Sequence, residues 1–240
     1  MWMICKKEWQ QFFSSLTGYL ALVVFLLLNG LFLFVFPDSN LLDFGYASLS
    51  GFFSLAPWLL LFLIPTITMR SFADEYKSGN FEILKTLPLT PNAIVIGKYL
   101  GALSIVFTAL VPSVIYAFSM QSLSVTGGID IGATIGSYIG LCFLAAVFTA
   151  IGIAASSFTN NTVVAFIGGA FVCFLLFIGF SAMSKLPLFT AGLDYYIELL
   201  GIQFHYRSIS RGVIDSRDLI YFIGIIFVFL FITGKNLLKR

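Results

Sequence analysis

From residue 131 to residue 184 the chain runs for 54 positions without one charged side chain. A helix crossing a hydrocarbon core of about 30 Å needs about 20 residues at 1.5 Å rise each. The run is therefore too long for one crossing and long enough for two. Ser156, Ser157, Thr159, Asn160, Asn161 and Thr162 interrupt it, which predicts spans over 131–155 and 163–183. Two further runs, 12–37 and 44–69, also carry no charge. The whole chain is 240 residues, 59% hydrophobic and 10% charged, where an average soluble domain has about 25% charged residues. An ordinary soluble fold is excluded, and the length suits one membrane domain over 1–240. The net charge of +2 gives no reason to expect a nucleic-acid partner.

Taken in order, the chain begins with an amphipathic stretch. Trp2, Cys5, Trp9, Phe12, Phe13 and Leu16 recur at helical spacing, with Lys6, Lys7, Glu8, Gln10 and Gln11 on the other face. This predicts an interfacial helix, Trp at headgroup level and Lys towards lipid phosphates; the alternative is a wet start to the first span. The long apolar run that follows is unlike a cleavable signal peptide. Six spans are predicted, at 17–36, 52–68, 93–120, 131–155, 163–183 and 219–234. Pro37, Asp38, Ser39 and Asn40 close the first, and Pro57 and Pro65 predict a kink in the second. Gly132, Gly136 and Gly140 give the fourth a small-residue face for a close neighbour. The sixth is short, so Asp218 and Lys235 would have to snorkel or the bilayer to thin. Leu193, Tyr196, Ile197, Leu200 and Phe204 predict an amphipathic helix, or a helical pair, before it. The predicted fold is an all-α integral membrane protein of six transmembrane helices. It has an N-terminal interfacial helix, a cytoplasmic helix between spans two and three, and an outer amphipathic segment between spans five and six.

Residues 69–98 break this pattern. They hold Arg70, Asp74, Glu75, Lys77, Glu82, Lys85 and Lys98, seven of the 24 charged residues, so the stretch belongs in water. Six spans put both termini on one side. That side would carry Lys6, Lys7, Arg70, Lys77, Lys85, Lys98, Lys235, Lys239 and Arg240, against Lys185, Arg207, Arg211 and Arg217 on the other. Nine basic residues against four make the first side cytoplasmic. Within the stretch, Gly79 is placed to end one helix and Asn80 to cap a second over 81–86. Phe81, Ile83, Leu84 and Leu87 are too apolar for a free loop and imply docking on lipid or on another protein. A cytoplasmic interfacial hairpin is the plainer alternative.

Other chemistry is absent from the sequence. No GxxxxGK[ST] phosphate loop and no HExxH motif occurs, so no cofactor, metal or catalytic residue is expected on this chain. Lys98 is the one ionisable residue near a span interior and reads first as a snorkelling anchor. His205 reads as an ordinary surface or packing residue. Cys5, Cys142 and Cys173 lack metal or redox spacing. Arg207, Arg211, Asp215, Arg217 and Asp218 read as a solvated, salt-bridged outer face, with contact to an extracytoplasmic partner as the alternative.

Arg70, Glu75, Gly79, Glu82, Leu84, Pro88 and Lys98, at these spacings after the second of six spans, resemble the pattern of ABC-2 type permeases. These are the membrane subunits of ATP-driven exporters. Within that family the segments MRSFADEYKSG and FHYRSISRGVIDSRDLIYF are most similar to permeases linked to bacterial gliding motility. Asn80 departs from the Thr common there. The resemblance implies that residues 79–87 form a coupling helix seated in a separate ATPase. Gly79, Asn80, Phe81, Glu82, Ile83, Leu84 and Leu87 would make the contact, braced by Arg70, Glu75 and Lys98. It further implies ATP and magnesium on the partner subunit, a second permease copy or related permease as dimer partner, membrane lipid around both, and the cell inner membrane as location. Two other functions fit the composition: a membrane anchor that recruits a soluble complex without transport, and an intramembrane lipid-modifying enzyme.

Overall fold

In the computed structural model the described residues are 2–36, 48–86, 90–124, 128–186, 192–213 and 215–239. The turn expected at 37–40 lies outside them, as do Leu87 and Pro88; the side chain of Ile83 is likewise not described. Every regular element among the described residues is helical. With no water in the bilayer core, a helix satisfies each backbone group within its own segment.

The N-terminal helix α1 (Trp2–Phe13) ends at a sharp corner. Ser15 then caps α2 (Leu16–Phe34), its hydroxyl accepting from the Gly18 amide. The second span, α3 (Ser50–Thr68), runs through Pro57 and Pro65 without interruption, and both prolines are buried. Its continuation is α4 (Arg70–Ser78), then α5 (Asn80–Thr86). The third span is α6 (Pro91–Leu110), started by Pro91 and a Thr90 cap. A 3₁₀ turn at Val111–Ser113 interrupts it before α7 (Val114–Leu123); Pro112 lacks the N–H that would continue the ladder.

The fourth span, α8 (Ile131–Phe158), is the axis of the bundle. Of its most apolar window 78% is buried, against 22% for α2 and for the fifth and sixth spans. Asp130 caps it through the Ala133 amide. Asn161 caps α9 (Thr162–Phe174), which passes through a π turn (Leu175–Gly179) into α10 (Phe180–Ser184). The break between spans four and five falls at residues 159–161, later than the sequence suggests, and Ser156 and Ser157 are buried inside α8.

The outer segment is a helical pair, α11 (Leu193–Leu199) and α12 (Ile202–Ile209). Leu193, Tyr196 and Leu200 remain exposed, as a membrane-surface face would be. Helix α12 docks on α8: its Ile209 and the following Gly212 lie against Gly140 and Gly136. The small-residue face therefore receives this outer helix rather than another span. Burial raises the pKa of the Tyr206 phenol, which donates at 2.7 Å to the Phe53 carbonyl and ties α12 to α3.

The sixth span lies in α13 (Ser216–Lys239), a helix of 24 residues that extends past the apolar stretch 219–234 at both ends, and one expectation about its flank is corrected. Asp218 is buried, 2.6 Å from His205 Nδ1, while His205 Nε2 faces the Leu199 carbonyl at 2.9 Å and Tyr221 stacks on the ring at 3.9 Å. Asp218 thus belongs to a buried pair and not to a solvated face, because the first turn of α13 lies directly against α12. The three cysteines are free thiols.

A side chain at Gly152 would run into Thr68, whereas one at Gly168 would meet nothing. Gly152→Leu is expected to destabilise the protein by about 1–3 kcal/mol, seen as a lower melting temperature in detergent. Gly168→Ala should stay within about 0.5 kcal/mol of wild type. Equal melting temperatures for all three would contradict the close α3–α8 packing.

Candidate functional site: a buried ion cluster beneath the charged helices

The end of the bundle that carries both described chain ends also carries α4 and α5. Met69 is the only residue between α3 and α4, and its amide still bonds to the Pro65 carbonyl. The joint is made by α8. The Ser156 hydroxyl accepts from the Phe72 and Ala73 amides at 3.0 and 3.1 Å and donates to the Met69 carbonyl at 3.0 Å. A side chain inserted in this way replaces part of the i→i−4 ladder and fixes a bend. Ser71, Phe72, Ala73 and Glu75 then form the buried face of α4.

Lys98 lies on α6 opposite that face and is 1% exposed. Its ammonium donates to Glu8 Oε1 at 2.7 Å and to the Ser71 carbonyl at 2.6 Å, and lies 3.0 Å from Glu75 Oε2. The Phe72 ring sits beneath it, 4.9 Å from ring centre to nitrogen. Lys7 closes the group, donating to Glu75 Oε1 at 2.7 Å. Two lysines and two glutamates cancel in charge. Cancellation is what makes burial tolerable, since an unpaired ion in this setting carries a penalty of several kcal/mol.

The anchor reading of Lys98 is therefore overturned: the side chain points into the protein, where two carboxylates and a carbonyl replace its hydration. The polar face of α1 is corrected with it. Lys7 and Glu8 face α4 and α6 rather than lipid phosphates, and Trp9 donates to the Ser104 hydroxyl on α6. Sequence reading missed Glu8 and Lys7 as partners. The available signal was Lys98 itself, a cation in an apolar run without a nearby acid. Of the three residues expected to brace the helix, Glu75 and Lys98 are joined here. Arg70 stands apart, half exposed and 4.0 Å from Asp74, a pair of little energetic weight.

Above this base the chain turns at Gly79. Its φ of 73° is left-handed, a conformation that glycine adopts without the Cβ penalty, so α4 stops and α5 leaves in a new direction. Phe81 and Leu84 are buried within the chain, Phe81 edge-on to Tyr76 at 4.7 Å. Lys77, Ser78, Gly79, Asn80 and Glu82 are exposed. The expected contact residues thus divide: Gly79, Asn80 and Glu82 face outward, while Phe81 and Leu84 hold α5 to α4.

A six-helix bundle with lipid-length apolar helices, a neutralised ion cluster at its base and a helical projection beyond it defines a multi-pass membrane protein. Residues 2–233 match the family model described as ABC-2 family transporter protein, and the chain belongs to that family. It is accordingly a membrane permease of an ABC transporter, a transport subunit that is not itself catalytic. None of the curated proteins searched matches the chain.

Lys98→Met would leave two buried carboxylates face to face. The expected cost is about 3–5 kcal/mol, measured as a lower melting temperature and poorer yield in detergent. Adding Glu8→Gln and Glu75→Gln should recover most of the loss. An unchanged melting temperature for the single variant would show that the cluster contributes little.

Proposed function

We propose that the chain is the membrane half of an ATP-driven exporter and that α5, with the end of α4, is the element a separate ATPase engages. The observation that carries this reading is the exposed run Lys77, Ser78, Gly79, Asn80 and Glu82, set on a stalk continuous with α3 and braced by the buried ion cluster. A surface of this kind can push on a span without bending away. Family membership goes with an ABC ATPase partner; ATP and magnesium are bound there. ATPases of this class act in pairs, so the permease works as a dimer with a second copy or a related chain. The excess of basic residues at this end supports a cytoplasmic base, both termini inside, in the cell inner membrane.

A place in a gliding-motility system is the finer reading, supported by the two segments that resemble such permeases. A non-transporting anchor would use the same exposed run but would leave ATP turnover unaltered. An intramembrane lipid-modifying enzyme has less in its favour: the buried ionisable groups described at the base are paired with one another.

An ATPase with a phosphate loop from an adjacent reading frame should co-purify with the chain and change its turnover on association. Glu82→Lys is expected to abolish co-purification while leaving membrane insertion intact. Leu84→Asp should instead lower the melting temperature, because Leu84 is buried. Wild-type recovery of the ATPase by Glu82→Lys would sink the contact assignment.

A further inference from the structure

The opposite end of the bundle holds a cavity of about 470 Å³ between α3, the start of α8, the π turn and α12. Its size falls in the range of ligand sites, about 300–1,000 Å³. Two charged side chains line it, Arg207 and Asp130. Neither has an ion-pair partner among the described residues. Arg207 sits on α12, whose backbone is held by the Tyr206–Phe53 bond and by the Ser137 hydroxyl on the Ser210 carbonyl. Asp130 spends Oδ1 on the Ala133 amide and keeps a second oxygen for another donor. Neutral polar groups share the lining with them, among them Gln203 and Thr134.

The remaining wall is aromatic. Phe177, carried into the lining by the π turn, meets Trp58 edge-on at 6.3 Å. Such π turns occur preferentially at functional sites. Trp58 also forms part of the bundle surface, 43% exposed. It stands eight residues beyond Ser50, about 12 Å along α3, so this wall reaches from the polar rim into the depth of the lipid chains. A guanidinium, a separate carboxylate and an apolar wall open to hydrocarbon match a molecule with three parts: a phosphate, a cationic amine and an acyl chain.

We propose that this cavity binds a zwitterionic phospholipid headgroup of the phosphoethanolamine type. Arg207 takes the phosphate through paired N–H donors, Asp130 takes the ammonium, and the first part of an acyl chain lies along Trp58. Binding requires neither an ATPase nor transport, so the site stands or falls separately from the coupling reading.

The test uses the full chain in maltoside micelles, with Trp2→Phe and Trp9→Phe leaving Trp58 as the fluorophore. Dihexanoyl phosphatidylethanolamine should shift its emission saturably, and dihexanoyl phosphatidylglycerol more weakly. Arg207→Gln should weaken both lipids about tenfold, the scale of losing a charged hydrogen-bond partner. Asp130→Asn, which keeps the helix cap, should weaken only phosphatidylethanolamine and so bring the two lipids level. Native mass spectrometry of the chain with all its tryptophans supplies the same ranking by retained lipid should the background substitutions perturb the fold. The proposal is overturned by a titration that does not saturate or by equal affinities in wild type and both variants. Free phosphoethanolamine binding as tightly as the lipid would likewise overturn it.

Discussion

A single ammonium group sets the geometry of the charged end. Lys98 is carried into the protein by α6, and a cation there needs replacements for its hydration. Glu8 of α1, and Glu75 and the Ser71 carbonyl of α4, supply them. Satisfying one charge therefore fixes α1 and α4 against α6 at once. Lys7 then neutralises the remaining carboxylate charge. An arrangement of this kind is specific because its inner parts are costly alone: Lys98 or Glu75 left without the others is an unpaired charge in a poor solvent, whereas Lys7 pairs from the half-exposed rim.

The second constraint is the central helix. Apolar attraction does not hold spans together in lipid, since acyl chains are as apolar as leucine; close contact and hydrogen bonds do. Helix α8 uses both. Its glycines admit Thr68 at one level and the α12 segment at another. At its far end Ser156 bonds into the α3–α4 joint, and Ser157 accepts from Asn236 of α13. The same helix thus organises the ion-locked base and one wall of the outer cavity. Helix α3 is shared in the same way, from the stalk joint at Met69 to Phe53 and Trp58. On the proposed reading, a force applied at α5 meets a braced stalk and travels along a helix that ends beside a ligand site.

Much of the architecture was legible in the sequence. Five uncharged runs place six helices, since 131–184 is long enough for two, and the helix starts found at Ser15, Thr90, Asp130 and Asn161 carry side chains able to accept from free amides. Gly79 announces the turn between α4 and α5. Less legible was everything that depends on which way a polar side chain points. Lys98 and Asp218 sit near span ends, where a snorkelling residue and a buried one have the same sequence context. Lys7 and Glu8 lie on the polar face of an amphipathic helix, and periodicity cannot say whether that face meets water, lipid or protein.

The sequence by itself determined that the chain lives in a membrane, how many times it crosses, and where its charged helical projection begins. These follow from local quantities: run length, hydropathy and capping chemistry. Only the tertiary structure decided that Glu8, Glu75, Lys7 and Lys98 are one neutral group, that His205 and Asp218 are partners, and that Arg207 and Asp130 share a cavity. The reason is separation along the chain. Glu8 and Lys98 are 90 positions apart, and no periodicity carries information over that distance until packing brings the helices together.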